Sequence, residues 1–290
     1  MSLRQSAQKP LKDNTTTDRD AAVEAEVRAL DGRHSALPAQ LLSTNVSACA
    51  LYLDCDGTLL DIAPTPNEVH VPQGLVPLLE RISTGLNGAL AIITGRQLAE
   101  IDTLLAPAKF VGAGVHGAEL RNFAGGTIAR VANSLPNSLI DTVMRRMQKL
   151  PGVIAEPKGP GLAVHYRQAQ HLQDSLEAEL RGVLAQYGDE LVLCQGRKLF
   201  EIIPAGHSKG TALETIAALP KFTGRHPIMI GDDVGDLPAF AAACRLGGNG
   251  MRVAGEQFGC DDVDFLGPAG VMAWLEEFAQ RLAVPRSVNG

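Results

Sequence analysis

Aromatic side chains are scarce in this chain: three Tyr, one Trp and eight Phe make up 4% of 290 residues. Base-stacking platforms and sugar-stacking walls are therefore hard to build, and a ligand has to be held mainly by hydrogen bonds and charge. Positive charge is not in excess either. Lys and Arg number 26 against 32 Asp and Glu, a net charge of −6, so the basic footprint of a nucleic-acid partner is missing. No stretch approaches the ~18–20 apolar residues of a membrane span, and the polar N-terminal residues hold no hydrophobic signal region, so no membrane partner is expected. The five cysteines, Cys49, Cys55, Cys194, Cys244 and Cys260, contain no Cys-x-x-Cys pair. They read as reduced thiols, which suits the cytoplasm and excludes a disulfide framework or a zinc site. Neither Cys55 nor Cys194 has an arginine six residues on, so a cysteine-phosphatase loop is unsupported.

What is present is a core-forming composition, 45% hydrophobic and 20% charged. The chain is longer than one compact core usually holds, at ~150 residues per domain. Residues 1–46 are polar and read as a flexible N-terminal extension with one helix-capable patch at 20–30. From Ser47, apolar runs of strand length at 48–53 and 89–93 alternate with helical spacing at 72–86 and 97–105, and a brief strand follows at 110–111. That alternation implies a doubly wound α/β fold, a parallel sheet with helices on both faces. Between 120 and 204 the rhythm changes to paired strands separated by helices at 136–150 and 170–187. Strands are expected at 127–131, 153–155, 162–166, 191–194 and 199–203, the last two flanking a tight turn at Gln195-Gly196-Arg197. This reads as an inserted α+β unit with an antiparallel sheet. After Pro204 the first rhythm resumes: a helix with Ser208 as candidate N-cap, a strand at 227–230, a last short strand closing at Phe265, and a terminal helix at 270–282. The expected division is an extension at 1–46, a core at 47–119 and 205–290, and an inserted unit at 120–204.

Three of the core strands end in polar clusters: Asp54-Cys55-Asp56-Gly57-Thr58, Thr94-Gly95-Arg96 and Gly231-Asp232-Asp233-Val234-Gly235-Asp236, while Ser208-Lys209-Gly210 opens a helix. Ligands of open parallel sheets bind outside the carboxyl ends of the strands, so the four clusters point to one site. Phosphoryl transfer suits them. Hydrolysis of a phosphate monoester is very slow without catalysis, and a carboxylate nucleophile must approach a dianion. Magnesium held by Asp54, Asp232 and the backbone carbonyl of Asp56 would cancel that repulsion. Lys209 and the Thr94 hydroxyl can meet the remaining phosphoryl oxygens. Asp56 can protonate the leaving alkoxide and then activate water, and Gly57 permits the sharp turn between them. Each piece alone is common in solvated loops and strand exits; the ordered set is not.

In these motifs the sequence resembles the haloacid-dehalogenase superfamily of phosphatases, with Asp54-x-Asp56-Gly57-Thr58, Thr94, Lys209 and Gly231-Asp232-Asp233…Asp236 as its four motifs in order. The resemblance covers the chain from Ser47 to about residue 282. It implies Asp54 as nucleophile, Asp56 as acid and base, Mg²⁺ as cofactor, and supporting roles for Asp233 and Asp236. The inserted unit is similar to the cap that closes over the substrate in that superfamily, excluding water and selecting the leaving group. More specifically, Leu53–Leu59 followed by Pro64, Ile93-Thr-Gly-Arg96, Gly114-Val-His-Gly-Ala-Glu119, Leu162-Ala-Val-His-Tyr-Arg167, Glu201-Ile-Ile-Pro204 and Ser208-Lys-Gly210 resemble, in order, the trehalose-6-phosphate phosphatases. That likeness implies a small-molecule sugar phosphate as substrate. It also makes Gly95, Arg96, His116, Glu119, Lys158, His165, Arg167 and Glu201 candidates for binding it, carboxylates taking paired hydroxyls and cations donating to sugar oxygens. His165 and Arg167 share one strand face, and a salt-bridged sheet face accounts for them equally.

The chain departs from the family pattern at Gly235 and Leu237, which flank Asp236 where relatives usually carry Thr and Glu; this puts the support of the last motif in question. Cys55 is smaller than the usual residue there, and strand alternation turns it away from the metal. The stretch Gly112-Ala-Gly114-Val-His-Gly117 matches G-x-G-x-x-G formally, but no helix or acidic residue follows as a dinucleotide site requires; these glycines are expected to form the hinge into the cap. Other sugar phosphates such as sucrose phosphate or a glycosyl-phosphoglycerate stay open as substrates. A phosphomutase or a non-catalytic sugar-phosphate sensor are the rival functions, and the oligomeric state is open, a monomer being compatible with the sequence.

Overall fold

The run Cys49–Leu53 is buried at every position, the pattern of a strand covered on both faces. It is the first of eleven strands among the residues described, 36–63 and 68–283, in this computed structural model. In chain order these are β1 (Cys49–Leu53), β2 (Leu90–Ile93), β3 (Val111–Gly114), β4 (Glu119–Arg121), β5 (Ala129–Arg130), β6 (Ile154–Lys158), β7 (Gly161–His165), β8 (Leu191–Gly196), β9 (Leu199–Pro204), β10 (His226–Gly231) and β11 (Asn249–Arg252). The larger sheet has the order β11-β10-β1-β2-β3-β4-β5; its first five members run parallel and β4 and β5 are antiparallel additions. Helix Leu75–Gly85 buries Leu75, Leu78, Leu79 and Ile82, and helix Pro268–Ala283 buries Val271, Trp274, Leu275 and Phe278, one stripe each at helical spacing. These two helices pack on each other, and Lys209–Ala217 packs on Leu237–Arg245. The result is the expected α/β core of the haloacid-dehalogenase type carrying a cap.

The smaller sheet, β6-β7-β9-β8, is antiparallel throughout. Its period-two alternation divides the strands cleanly. Leu162, Val164, Phe200, Ile202 and Leu193 join a hydrophobic cluster with Leu139, Val143, Leu176 and Leu180 of helices Asn137–Met147 and Gln173–Leu184. The opposite face presents Ile154, Glu156, Lys158, His165, Cys194, Glu201 and Ile203, and all of these line one cavity above the strand ends of the larger sheet. A one-residue slip would exchange these sets, so burying the apolar set fixes which residues face the site.

Several expected boundaries move. Leu37, Leu41, Leu42 and Val46 are buried in the main core, and Trp274 Nε1 donates to the Pro38 carbonyl at 2.9 Å. Residues 36–46 therefore belong to the core and are no extension; the patch at 20–30 and Pro64 lie outside the described residues. The strand expected at 127–131 as the first of the inserted unit is β5, which pairs with β4 on the larger sheet. The chain thus leaves the core after residue 130 and not at 120. Gly112 and Gly114 are no hinge. A Cβ on Gly112 would lie 2.5 Å from the Ile92 carbonyl, and one on Gly114 2.8 Å from that of Arg96, so these glycines let β3 run close to its neighbours. The last strand of the core is β11, and Phe265 makes a single bridge to Val253.

Candidate active site

The strand ends meet as expected. Ser208 and Thr211 form a capping box that starts helix Lys209–Ala217, and this start delivers Lys209 Nζ to Asp54 Oδ1 at 2.6 Å and to Asp236 Oδ1 at 2.7 Å. The other Asp236 oxygen accepts from the backbone N–H groups of Asp232 and Asp233, both at 3.1 Å. Asp236 thus accepts from three protein donors and holds the Asp232 loop in shape, without help from Gly235 or from Leu237, which is buried in the core. Asp233 caps the short turn after it, accepting from Val234 N. A Cβ on Gly57, whose φ is +84°, would collide with the Asp232 carboxylate; only glycine lets the turn after Asp56 approach so closely. Cys55 points into the core and is fully buried.

Burial, then the charges of Asp54, Asp236 and Asp233, push the Asp232 carboxyl far above the usual range. Burial also raises Asp54, against the pull of Lys209. One carboxylate oxygen each from Asp54, Asp232 and Asp236 lies within 4.8 Å of the others, three charges offset by Lys209 and by Arg197, 3.5 Å from Asp232. Asp232 Oδ1 is buried without a hydrogen-bond partner. A surplus of buried negative charge and an orphaned oxygen are what a hard cation with oxygen ligands relieves. The residues therefore fit the divalent metal that the superfamily implies.

Asp56 lies at the rim of the same cavity and is gripped by Arg96, whose Nε donates to Oδ2 at 2.6 Å and whose Nη2 donates to Oδ1 at 2.7 Å. Such a fork fixes both the place and the plane of a carboxylate. Thr94 is buried, and its Oγ1 accepts from Arg96 N at 3.1 Å. Beside Gly95 stands His116, held in a left-handed backbone together with Val115 and Gly117, and its Nε2 pairs with Glu201 Oε2 of the cap. Glu201 also faces Lys158 Nζ at 3.8 Å. Burial raises the Glu201 pKa, but His116, Lys158 and His165 overcome this and hold it down at about 2.

The cavity measures about 480 Å³ and its lining, from both domains, includes no Phe, Tyr or Trp. Lys158, Glu201, His165 and Arg167 line its roof, as do Gly95, Arg96 and His116 its floor. His165 Nε2 pairs with Glu156 Oε2 at 2.9 Å, and Arg167 Nη1 donates to the Ala63 carbonyl across the cleft. Glu119 is the exception. It is 4% exposed, does not line the cavity, and its Oε2 accepts from Leu98 N at 3.0 Å; burial removes it from the sugar-binding set. Arg197, which reads from sequence as a turn residue, sits at the tip of the β8–β9 hairpin with Nη1 3.5 Å from Asp232 Oδ2 and Nε 3.6 Å from Glu256 Oε2. A cation at a cap hairpin tip is the signal that marks it, but its acidic partners come from distant parts of the chain.

A carboxylate pair and a hydroxyl at two strand ends, a lysine at a helix start, and a cap closing over them are the arrangement that phosphoryl transfer needs, and the fold is that of haloacid-dehalogenase-like structures. The relatives narrow this. A profile of the trehalose-phosphatase family matches residues 52–260. A probable trehalose-phosphate phosphatase of Sinorhizobium fredii is 40% identical over 213 residues, 73% of this chain and 80% of that one. The trehalose-6-phosphate phosphatase of Escherichia coli is 35% identical over 243 residues, 83% and 90% of the two chains. The chain belongs to the trehalose-phosphatase family. Among solved structures, the C-terminal domain of Candida albicans trehalose-6-phosphate phosphatase superposes with a TM-score of 0.74 at 20% identity, covering 86% of this chain and 99% of that one.

Proposed function

We propose that the protein is an Mg²⁺-dependent phosphatase that hydrolyses trehalose 6-phosphate to trehalose and phosphate in the cytoplasm. The observation that carries the substrate is the cavity roof: a sheet face with Lys158, His165 and Glu201 and no aromatic ring suits a disaccharide held through its hydroxyls. The phosphoryl group would sit over Asp54, with the Lys209 ammonium and the Thr94 hydroxyl donating to its oxygens. Asp54 and Asp232, with the Asp56 carbonyl, would hold the metal, which supplies positive charge to offset that of the phosphate and the carboxylates.

In the first step an Asp54 oxygen attacks phosphorus, the bond from phosphorus to the sugar oxygen breaks, and the leaving alkoxide takes a proton from Asp56. In the second, Asp56 takes a proton from water, whose oxygen attacks the aspartyl phosphate; the bond to Asp54 breaks and phosphate leaves. Arg96 holds Asp56 in place: the oxygen that carries the proton gives up its bond to the guanidinium, and the other oxygen keeps its own. His116, Lys158 and Glu201 tie the roof to the floor, so that the site closes around the sugar. Steady-state rates of phosphate release from a panel of sugar phosphates test the reading; trehalose 6-phosphate turned over no faster than glucose 6-phosphate would refute it.

A further inference from the structure

Glu119 matches the family motif that suggests sugar binding, yet it reaches no sugar site. We infer that it is a positioning residue for the acid and base Asp56, acting through the loop at 94–97. The inference rests on the phosphatase reading of the site and adds to it.

The geometry is a clamp built by one short strand. β4 carries two buried charges, Glu119 and Arg121, 4% and 2% exposed, on one face by strand alternation. Both engage helix Leu98–Leu104. Glu119 Oε2 accepts from Leu98 N at the start of that helix, where the preceding residue, Gln97, supplies no side-chain cap. The first N–H groups of a helix lack partners within it, and a carboxylate there gains from the helix dipole as well. Arg121 then grips Asp102 of the same helix with two parallel bonds, at 2.7 and 2.5 Å. Glycine at 114, opposite Glu119 in the β3–β4 ladder, leaves room for the carboxylate: a Cβ there would lie 3.0 Å from Oε2.

The residue two before Leu98 is Arg96, the fork that fixes Asp56. Its backbone is anchored too, since Arg96 O accepts from Val115 N at 3.0 Å. A chain of direct contacts therefore runs from Glu119 to Leu98 N, through the 96–98 backbone to the Arg96 guanidinium, and from there to Asp56. Releasing its first link lets the fork drift, and a displacement of ~1 Å at a reacting group costs up to ~10²-fold in rate. No contact in this chain involves the sugar.

The test is kcat and KM of the Mg²⁺-loaded enzyme on trehalose 6-phosphate and on glycerol 2-phosphate, which carries no sugar but whose leaving alkoxide needs the same proton from Asp56. Glu119→Asp keeps the charge but is one methylene short of Leu98 N. Its kcat should fall ~10–100-fold on both substrates with KM within ~3-fold. Glu119→Gln keeps an acceptor of the right reach and should hold kcat within ~3-fold of wild type on both. A loss confined to trehalose 6-phosphate, a KM for it raised ~10-fold in Glu119→Gln, or a wild-type kcat in Glu119→Asp would each overturn the inference. If Glu119→Asp does not fold, a ~10-fold rise in KM for trehalose 6-phosphate in Glu119→Gln would still overturn the inference. Failure of the trehalose 6-phosphate assignment would show in the wild-type enzyme's substrate preference and leave the glycerol 2-phosphate comparison intact.

Discussion

Gly57 shows how closely the site is packed at the level of single atoms. It combines a positive φ with a position where any Cβ would strike the Asp232 carboxylate. Gly57→Ala should destabilise the fold by ~1–3 kcal/mol through the backbone alone, and should also lower metal affinity by displacing Asp232; thermal melts with and without Mg²⁺ separate the two effects. Asp54→Asn keeps the shape but removes the nucleophile, and turnover should fall by ~10³-fold or more with the melting temperature kept; a normal rate in this variant would remove the covalent route. Asp54, Asp56, Thr94, Lys209 and Asp232 are legible in the amino-acid sequence, because polar clusters common singly at strand exits and helix starts here follow one another in an order that structure alone does not call for. Glu119 is not. A carboxylate that caps a helix and one that binds a hydroxyl are the same letter, and only burial against Leu98 N separates them. Arg197 is hidden for the converse reason: its turn is plain, but Asp232 and Glu256, which it faces, lie 35 and 59 positions away.

Among elements, the cap sheet states its function through alternation. One set of residues is buried against two helices, so the other must face the core, and the pairs Ala163↔Glu201 and Ile154↔His165 put the polar members of three strands side by side. Lys158→Ala should raise KM for trehalose 6-phosphate and erode its advantage over p-nitrophenyl phosphate, measured as a ratio of kcat/KM values. Glu201 makes a separate prediction. Its pKa is about 2, below the ordinary 4.5, so its contribution to stability is complete above pH 4.5 and is lost as the pH falls toward 2. Melting temperatures of Glu201→Gln should therefore decline less steeply than those of wild type between pH 5 and ~3; parallel slopes would contradict the ion cluster with His116 and Lys158. The cap strands read correctly from sequence because their apolar alternation is strong. β5 misleads because two paired residues carry no pattern that names their partner sheet. Helix Leu37–Leu42 misleads because six residues in a polar stretch acquire their order from Trp274, far along the chain.

For the whole molecule, cap and core meet around the cleft, where His116 pairs with Glu201. Arg167 donates to Ala63 O, and Arg197 and Lys198 both face Glu256, each at 3.6 Å. Between them lies the cavity, above Asp54, Asp232 and Asp236, whose three charges Lys209 and Arg197 do not balance. Metal binding should relieve that imbalance and stabilise the folded chain. Magnesium at ~100 times its Kd would contribute about 2.7 kcal/mol, seen as a rise in melting temperature that a chelator reverses and that Asp232→Asn abolishes. An unchanged melting temperature would contradict the metal site.

The charged roof over the Asp54 site is proposed to read trehalose. The most direct test is kcat/KM for phosphate release from trehalose 6-phosphate, sucrose 6-phosphate and glucose 6-phosphate, measured side by side with Mg²⁺. A preference of ~10²-fold or more for trehalose 6-phosphate is predicted, since several hydroxyls are read by buried polar groups that a wrong sugar would leave unpaired. Equal values for trehalose 6-phosphate and glucose 6-phosphate would contradict the account.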